Sequence, residues 1–224
     1  MNEFALTPYE NVVDDTTEDE GNKIKFTINE LTGRARDKAL DTLRDWATDD
    51  DWWQNMYDYW KAEKFPALGI AVDTFDGFSL YHDREVEFSG SIDLEELVKK
   101  VPALCENNLI LQTAIEADLM CSVHITKTMI EYLDLDITVD DDNGMMPELA
   151  NTPFAEMSAT NFIGLVEMEL DNFQNTVQEH VTEAAQDMLC ELQEEYEYLE
   201  SEDSLIERAE ESGWLFNEDG EFVS

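Results

Sequence analysis

Between Asn161 and Leu199 apolar residues recur every three or four positions, at Phe162, Val166, Leu170, Phe173, Val177, Val181, Ala185, Met188, Leu192, Tyr196 and Leu199. That period places one apolar stripe along a long helix. Upstream, Leu31, Ala35, Ala39, Leu43 and Trp46 predict a helix running from Glu30, with Asn29 as its cap. Trp53, Met56, Tyr57 and Trp60 fit one face of a second helix, in a run that also holds Trp52 and Tyr59. Alternation predicts strands at Ile24, Phe26 and Ile28, and at Leu135, Ile137 and Val139. Leu68 to Phe75 and Phe78 to Phe88 read as a hairpin around a turn at Asp76-Gly77. Asp93 is placed to cap a helix through Leu94, Leu97, Val98 and Val101, stopping near Pro102. Leu104 to Leu133 is helical in period and reads as two helices broken near Asp118. Ser201 is placed to cap a short helix, Leu205 to Glu211, and Trp214 to Phe216 and Glu221 to Val223 flank Asn217-Glu218-Asp219-Gly220 as a terminal hairpin.

These elements predict an α+β fold: a small antiparallel hairpin or sheet packed against helices, with a long amphipathic acidic C-terminal helix. The hairpin near 68–88 is expected against the first two helices. The expected organisation is a flexible acidic arm at 1–22, an α+β body at 23–144, a linker at 145–160 containing Pro147 and Pro153, and the long helix with its terminal helix-hairpin at 161–224.

Charge changes this picture. The 224 residues hold 54 acidic and 13 basic side chains, a formal net charge of −41, yet 43% are apolar, too many for a disordered acidic tail. Residues 1–100 hold 24 acidic and 11 basic side chains, net −13; residues 101–224 hold 30 acidic and only Lys127 and Arg208 as basic, net −28. Such a surface excludes direct binding to nucleic acid or to an anionic membrane and favours a basic partner. On the long helix, Glu179, Glu183, Asp187, Glu191 and Glu195 fall at steps of four. Like charges at that spacing cost about 0.2–0.5 kcal/mol each. The ladder is expected on the face away from Val177, Val181, Met188 and Leu192. Its length of apolar stripe also raises a homodimer as a possibility. Arg34, Arg36, Lys38 and Arg44 on the first helix read either as internal partners for carboxylates or as a phosphate site, the first being favoured.

Little points to catalysis, and the chain reads as a non-enzyme. Cys105, Cys121 and Cys190 match no zinc spacing and form no disulfide framework. Cys121 and His124 would share a helical face, but no third group completes a nucleophilic site; His124 reads as a core histidine and His180, beside Glu179, as a solvated one. His82 lies on the expected hairpin. No phosphate loop, nucleophile elbow or dinucleotide glycine pattern is present. Asp140, Asp142 and Asn143 have the oxygen density of a calcium loop without its distal Glu, so an acidic turn with at most weak metal binding is expected, and no cofactor. The beginning Met-Asn-Glu-Phe has neither a basic leader nor a long apolar run, so a cytosolic protein without a signal peptide or spanning helix is expected.

The stretch Phe26 to Leu40, FTINELTGRARDKAL, resembles the opening of an uncharacterised family of acidic tailed-phage proteins. The block Gly69 to Gly90, GIAVDTFDGFSLYHDREVEFSG, is similar to that family's hairpin, and Leu192 to Gly220 to its C-terminal block. The three blocks occur in the same order and cover a little over a quarter of the chain; 91–160 departs from the pattern. The resemblance implies a phage protein acting in the host cytoplasm and carries over no catalytic residues. Two functional expectations follow. One is an inhibitor that mimics nucleic-acid charge and blocks a host defence or DNA-handling complex (restriction, RNA-guided or recombination nuclease), through the ladder 179 to 195. The other is a regulatory or assembly protein binding through Trp52, Trp53 and Trp60, which otherwise form a core seam against the first helix; a solvated acidic surface adapted to high salt is a further alternative.

Overall fold

A computed structural model describes residues 24–49, 51–117, 120–129, 132–140, 149 and 152–223, with backbone alone over most of the strands from 120 to 140. The expected arm at 1–22, residues 145–148, 150 and 151 of the linker and the turn at 141–144 lie outside the described residues. The fold is α+β, as the periodicities predict. In chain order it runs α1 (Gly33–Asp49), α2 (Gln54–Tyr59), a π-helical turn (Trp60–Lys64), α3 (Phe65–Ala67), β1 (Ala71–Ser79), β2 (Glu85–Asp93), α4 (Leu94–Lys100), α5 (Leu109–Glu116), β3 (Met120–Met129), β4 (Tyr132–Asp140), α6 (Ala159–Glu200), α7 (Glu202–Glu211), β5 (Leu215–Phe216) and β6 (Phe222–Val223). The described residues form two compact units, one of those in 24–45 with 202–223 and one of those in 46–201. The units part at 45/46 and 201/202.

In the larger unit, β1 to β4 form an antiparallel meander in sequence order. Phe75 lies opposite Phe88 and Ile92 opposite Val123. The helix α6 packs on the sheet and on α5. Its stripe is buried as predicted at Phe162, Val166, Leu170, Phe173, Val177, Val181, Ala185, Met188, Leu192 and Leu199, and half-buried at Tyr196. The chain itself covers this face, which removes the argument that the stripe needs a second copy. Ser158 caps α6 through Asn161 N, and Asp93 caps α4 as predicted, accepting from Glu96 N at 2.9 Å.

Three local expectations change. The hairpin turn is not Asp76-Gly77 but the bend from Leu80 to Arg84, where Arg84 takes φ 49°. Asp73 and Asp76 instead have no partner in the β1–β2 register, which steps over each of them. These are bulges, and each moves the next residue to the other face of the strand. Val72, Phe75 and Phe78, three apart, thereby face the same way, opposite Gly90, Phe88 and Val86. A regular strand would alternate them. Second, the helical period after Leu104 ends at Glu116. Asn108 caps α5 through Leu111 N, and the following apolar run becomes strand β3, with Val123 and Ile125 buried around exposed His124. Its β-branched residues fit a half-buried sheet, and the shared helical face of Cys121 and His124 does not exist. Third, the wide turn Trp60–Lys64 precedes Pro66, with Phe65 N bonding back five residues to Trp60 O. Proline lacks an N–H and clashes with the carbonyl four residues before it, and the wider turn accommodates both.

In the smaller unit, Ile28, Leu31, Ala39, Leu40, Leu43, Leu205, Ala209 and Phe216 are buried. Phe26 makes a single β-bridge to Phe216 rather than a strand, and β5 and β6 form the expected terminal hairpin. Glu30 turns back to accept from Thr27 N at 2.8 Å, so α1 begins at Gly33, and Asn29 donates to Glu210 instead of capping. Arg36 pairs with Glu202 and Lys38 with Glu221, the internal pairing expected of the basic helix.

Candidate partner-binding surface

Carboxylates at steps of four do not stay on one face. A helix turns about 100° per residue, so each step of four advances about 40°, and five rungs sweep about 160°. The ladder therefore starts opposite the apolar stripe and ends beside it. Glu179, Glu183 and Asp187 are exposed, with Asn175, Gln178, Thr182 and Gln186 around them in an open depression of ≈ 730 Å³. Among the described residues no ion pair reaches these three carboxylates. Neutral amides and hydroxyls surround them without neutralising them.

Glu191 and Glu195, also expected to be exposed, are half-buried. Glu191 is part of the unit's packing: Trp60 Nε1 donates to its Oε2 at 2.8 Å, and Lys64 Nζ to its Oε1 at 3.3 Å. That hydrogen bond and charge hold the Lys64 ammonium above its usual range, and the ammonium lies 5.7 Å from the Tyr59 ring centre and 5.6 Å from that of Trp60. His180 is buried rather than solvated, with Nε2 2.8 Å from the Leu68 carbonyl oxygen. One residue past Glu179, it is turned about 100° toward the body.

The tryptophans divide. Trp60 is 2% exposed and belongs to the core. Trp52 and Trp53 are half-buried. Expected against the first helix, this seam finds its ring partners in β1 and α6: Trp52 and Trp53 lie 5.7 and 5.6 Å from Phe78, Trp52 is 5.7 Å from Tyr196, and Tyr57 stacks on Phe75 at 4.1 Å. Asp58, which sequence reasoning passed over, and Asp76, which it read only as a turn residue, stand with Trp53, Tyr57, Phe75 and Phe78 around one cleft. Their signal was the spacing of three between Val72, Phe75 and Phe78 inside a stretch read as strands, which a regular strand does not explain.

Burial pushes the Cys105 thiol up to about 11, so it stays protonated at neutral pH and is no activated nucleophile. Cys190 is exposed on α6 and His82 on the bend after β1. Among the described residues, no three His, Cys, Asp or Glu side chains stand where they could hold a metal ion; Asp140 ends β4, and Asp142 and Asn143 lie outside the described residues. No described helix is long and apolar enough to cross a membrane. No family model, curated protein or solved structure matches this chain.

Proposed function

We propose that this is a phage-encoded acidic binding protein that occupies the basic, nucleic-acid-binding surface of a host defence or DNA-handling complex, presenting carboxylates where phosphates normally bind. The observation that carries the reading is the exposed run Glu179, Glu183 and Asp187 on a helix packed on its sheet, with no ion pair to any of the three among the described residues. Rungs four residues apart rise about 6 Å along the axis. One DNA strand carries a charge about every 3.4 Å. The three rungs alone are therefore sparser than a phosphate strand, and exposed Glu194 and Glu197 further along α6 extend the array. Such a surface works through association rate and salt-sensitive attraction more than through packing.

The test replaces Glu179, Glu183 and Asp187 together by Gln. Gln is about as good a helix former as Glu and better than Asp, and relief of like-charge repulsion stabilises the helix by about 1 kcal/mol or less. Capture from infected-host lysate at graded salt is then compared between the native and substituted proteins. The expected outcome is a DNA- or RNA-handling complex held by the native protein, released by added duplex, and lost or much weakened with the triple variant while the melting temperature holds or rises. Equal capture by both proteins would overturn the reading. Recovery only of phage structural proteins, insensitive to duplex, would shift it to an assembly role.

A further inference from the structure

We infer that the cleft between α2 and β1 binds an arginine side chain of a basic protein partner. The inference rests on the reading above only in that the partner is basic, and does not require that α6 imitate nucleic acid. The cleft, of ≈ 750 Å³, is lined by Trp53, Tyr57, Phe75 and Phe78 together with Asp58 and Asp76. Its rings stand at steep angles to one another: Trp53 to Phe78 at 63° and Tyr57 to Phe78 at 81°. Tyr57 and Phe75 stack on one another at 4.1 Å, so the rings left for a cation at the cleft mouth are those of half-buried Trp53 and Phe78. Asp58 and Asp76 are exposed, so their carboxylates meet solvent beside those rings. Asp58 accepts from Gln54 Nε2 at 3.1 Å, which leaves its second oxygen for a ligand.

The two bulges build this cleft. The bulge at Asp76 brings Phe75 and Phe78 to one face, and the bulge at Asp73 leaves that residue's carbonyl to accept from Lys61 Nζ. Bulges are enriched where a strand edge is re-aimed for function, and they spoil an edge for strand addition. Because β1 is an edge strand interrupted by two bulges, the site suits a side chain rather than an added strand. Among the described residues, Lys61 is the one cation lining the cleft, with its ammonium already held at the Asp73 carbonyl. A planar guanidinium suits what remains, since it stacks on rings and bonds carboxylates in pairs, which a compact ammonium does less well.

The experiment titrates the full-length protein with a blocked Gly-Arg-Gly peptide and with its citrulline counterpart, which keeps the shape and removes the charge. Two-dimensional NMR follows the Trp53 indole N–H and the Gln54 side-chain amide. Saturable shifts with the arginine peptide are expected, about tenfold weaker in a variant carrying Asp58→Asn and Asp76→Asn, as for loss of a charged hydrogen bond. Both substituted side chains are exposed, so the variant keeps its fold. Lys61→Met should tighten binding by removing a like charge. The triple Gln variant of α6 should bind the peptide as the native protein does, which separates this site from the reading above. Equal binding of the citrulline peptide, no saturable shift, or binding lost with the α6 variant instead of the cleft variant would each overturn the inference.

Discussion

Glu183 and Glu191 share a residue type, a helix and a ladder, yet their substitutions are expected to act with opposite sign. Glu183 is exposed among like charges, so Glu183→Gln should leave stability unchanged or raise it by a few tenths of a kcal/mol, about the size of one like-charge pair. Glu191 accepts from an indole N–H whose ring is 2% exposed. Glu191→Ala strands that donor and removes the partner of Lys64, at a cost of about 1–3 kcal/mol in urea unfolding. Trp60→Phe removes the donor as well, so the double variant should cost less than the sum of the two single ones. Additive costs would show that the pair does not interact. Sequence reasoning put all five rungs on one exposed face and left out that four-residue steps drift by about 40° each on a helix; what the sequence did not contain at all was which tryptophan would meet the drifting carboxylate.

At the scale of elements, glycine tests whether a backbone is closely approached. A Cβ on Gly90 would fall 2.2 Å from the Ala71 carbonyl oxygen, across the β1–β2 pair. Gly90→Ala must push the strands apart and should destabilise by about 1–3 kcal/mol. Gly164 lies in α6 with nothing within 4 Å of its would-be Cβ, so Gly164→Ala should stabilise by about 0.5–1 kcal/mol through the unfolded chain and helix propensity. Thermal melts of the two variants moving in the same direction would contradict this description of the elements. The contrast also marks what could be read in advance. The stripe of α6 was legible because eleven apolar positions repeat one period, and the cap at Asp93 because it stands directly before a helical run. The strand β3 was not, since a short apolar run satisfies helix and strand alike until a sheet neighbour exists. Asp76-Gly77 looked like a hairpin turn because turns and bulges favour the same residues. Only the pairing with Glu87 and Phe88 distinguishes them. The aromatic cleft depends on that bulge, so it was hidden for the same reason.

For the molecule as a whole, a formal charge of −41 opposes compaction, and salt is the variable that exposes it. Among the described residues, ion pairs relieve the repulsion only locally, at Arg36–Glu202, Lys38–Glu221 and Arg44–Asp41 in one unit and at Lys64–Glu191 and Lys99 with Glu95 and Glu96 in the other. Exposed pairs of this kind contribute about 0–1 kcal/mol each and weaken as salt rises. Screening of the general repulsion acts the other way, because the Debye length falls from about 30 Å at 0.01 M to about 3 Å at 1 M. The larger unit also has an apolar core that does not depend on charge, with Phe65, Phe88, Ile92, Leu97, Leu111 and Phe162 fully enclosed. The protein should therefore be folded in 10 mM salt, on the scale where screening is weak. If screening is worth about 1–2 kcal/mol, the melting temperature should rise by about 2–8 °C toward molar salt. A chain unfolded at low salt and rescued only near molar salt would instead identify the acidic surface as an adaptation to brine. Capture of the basic partner should move oppositely, weakening over the same range as phosphate-like contacts are screened. A fold that tightens while its binding loosens is the behaviour expected when surface charge is held, against its own repulsion, for a partner. Parallel gains in stability and binding with salt would point to an apolar contact and away from the α6 carboxylates.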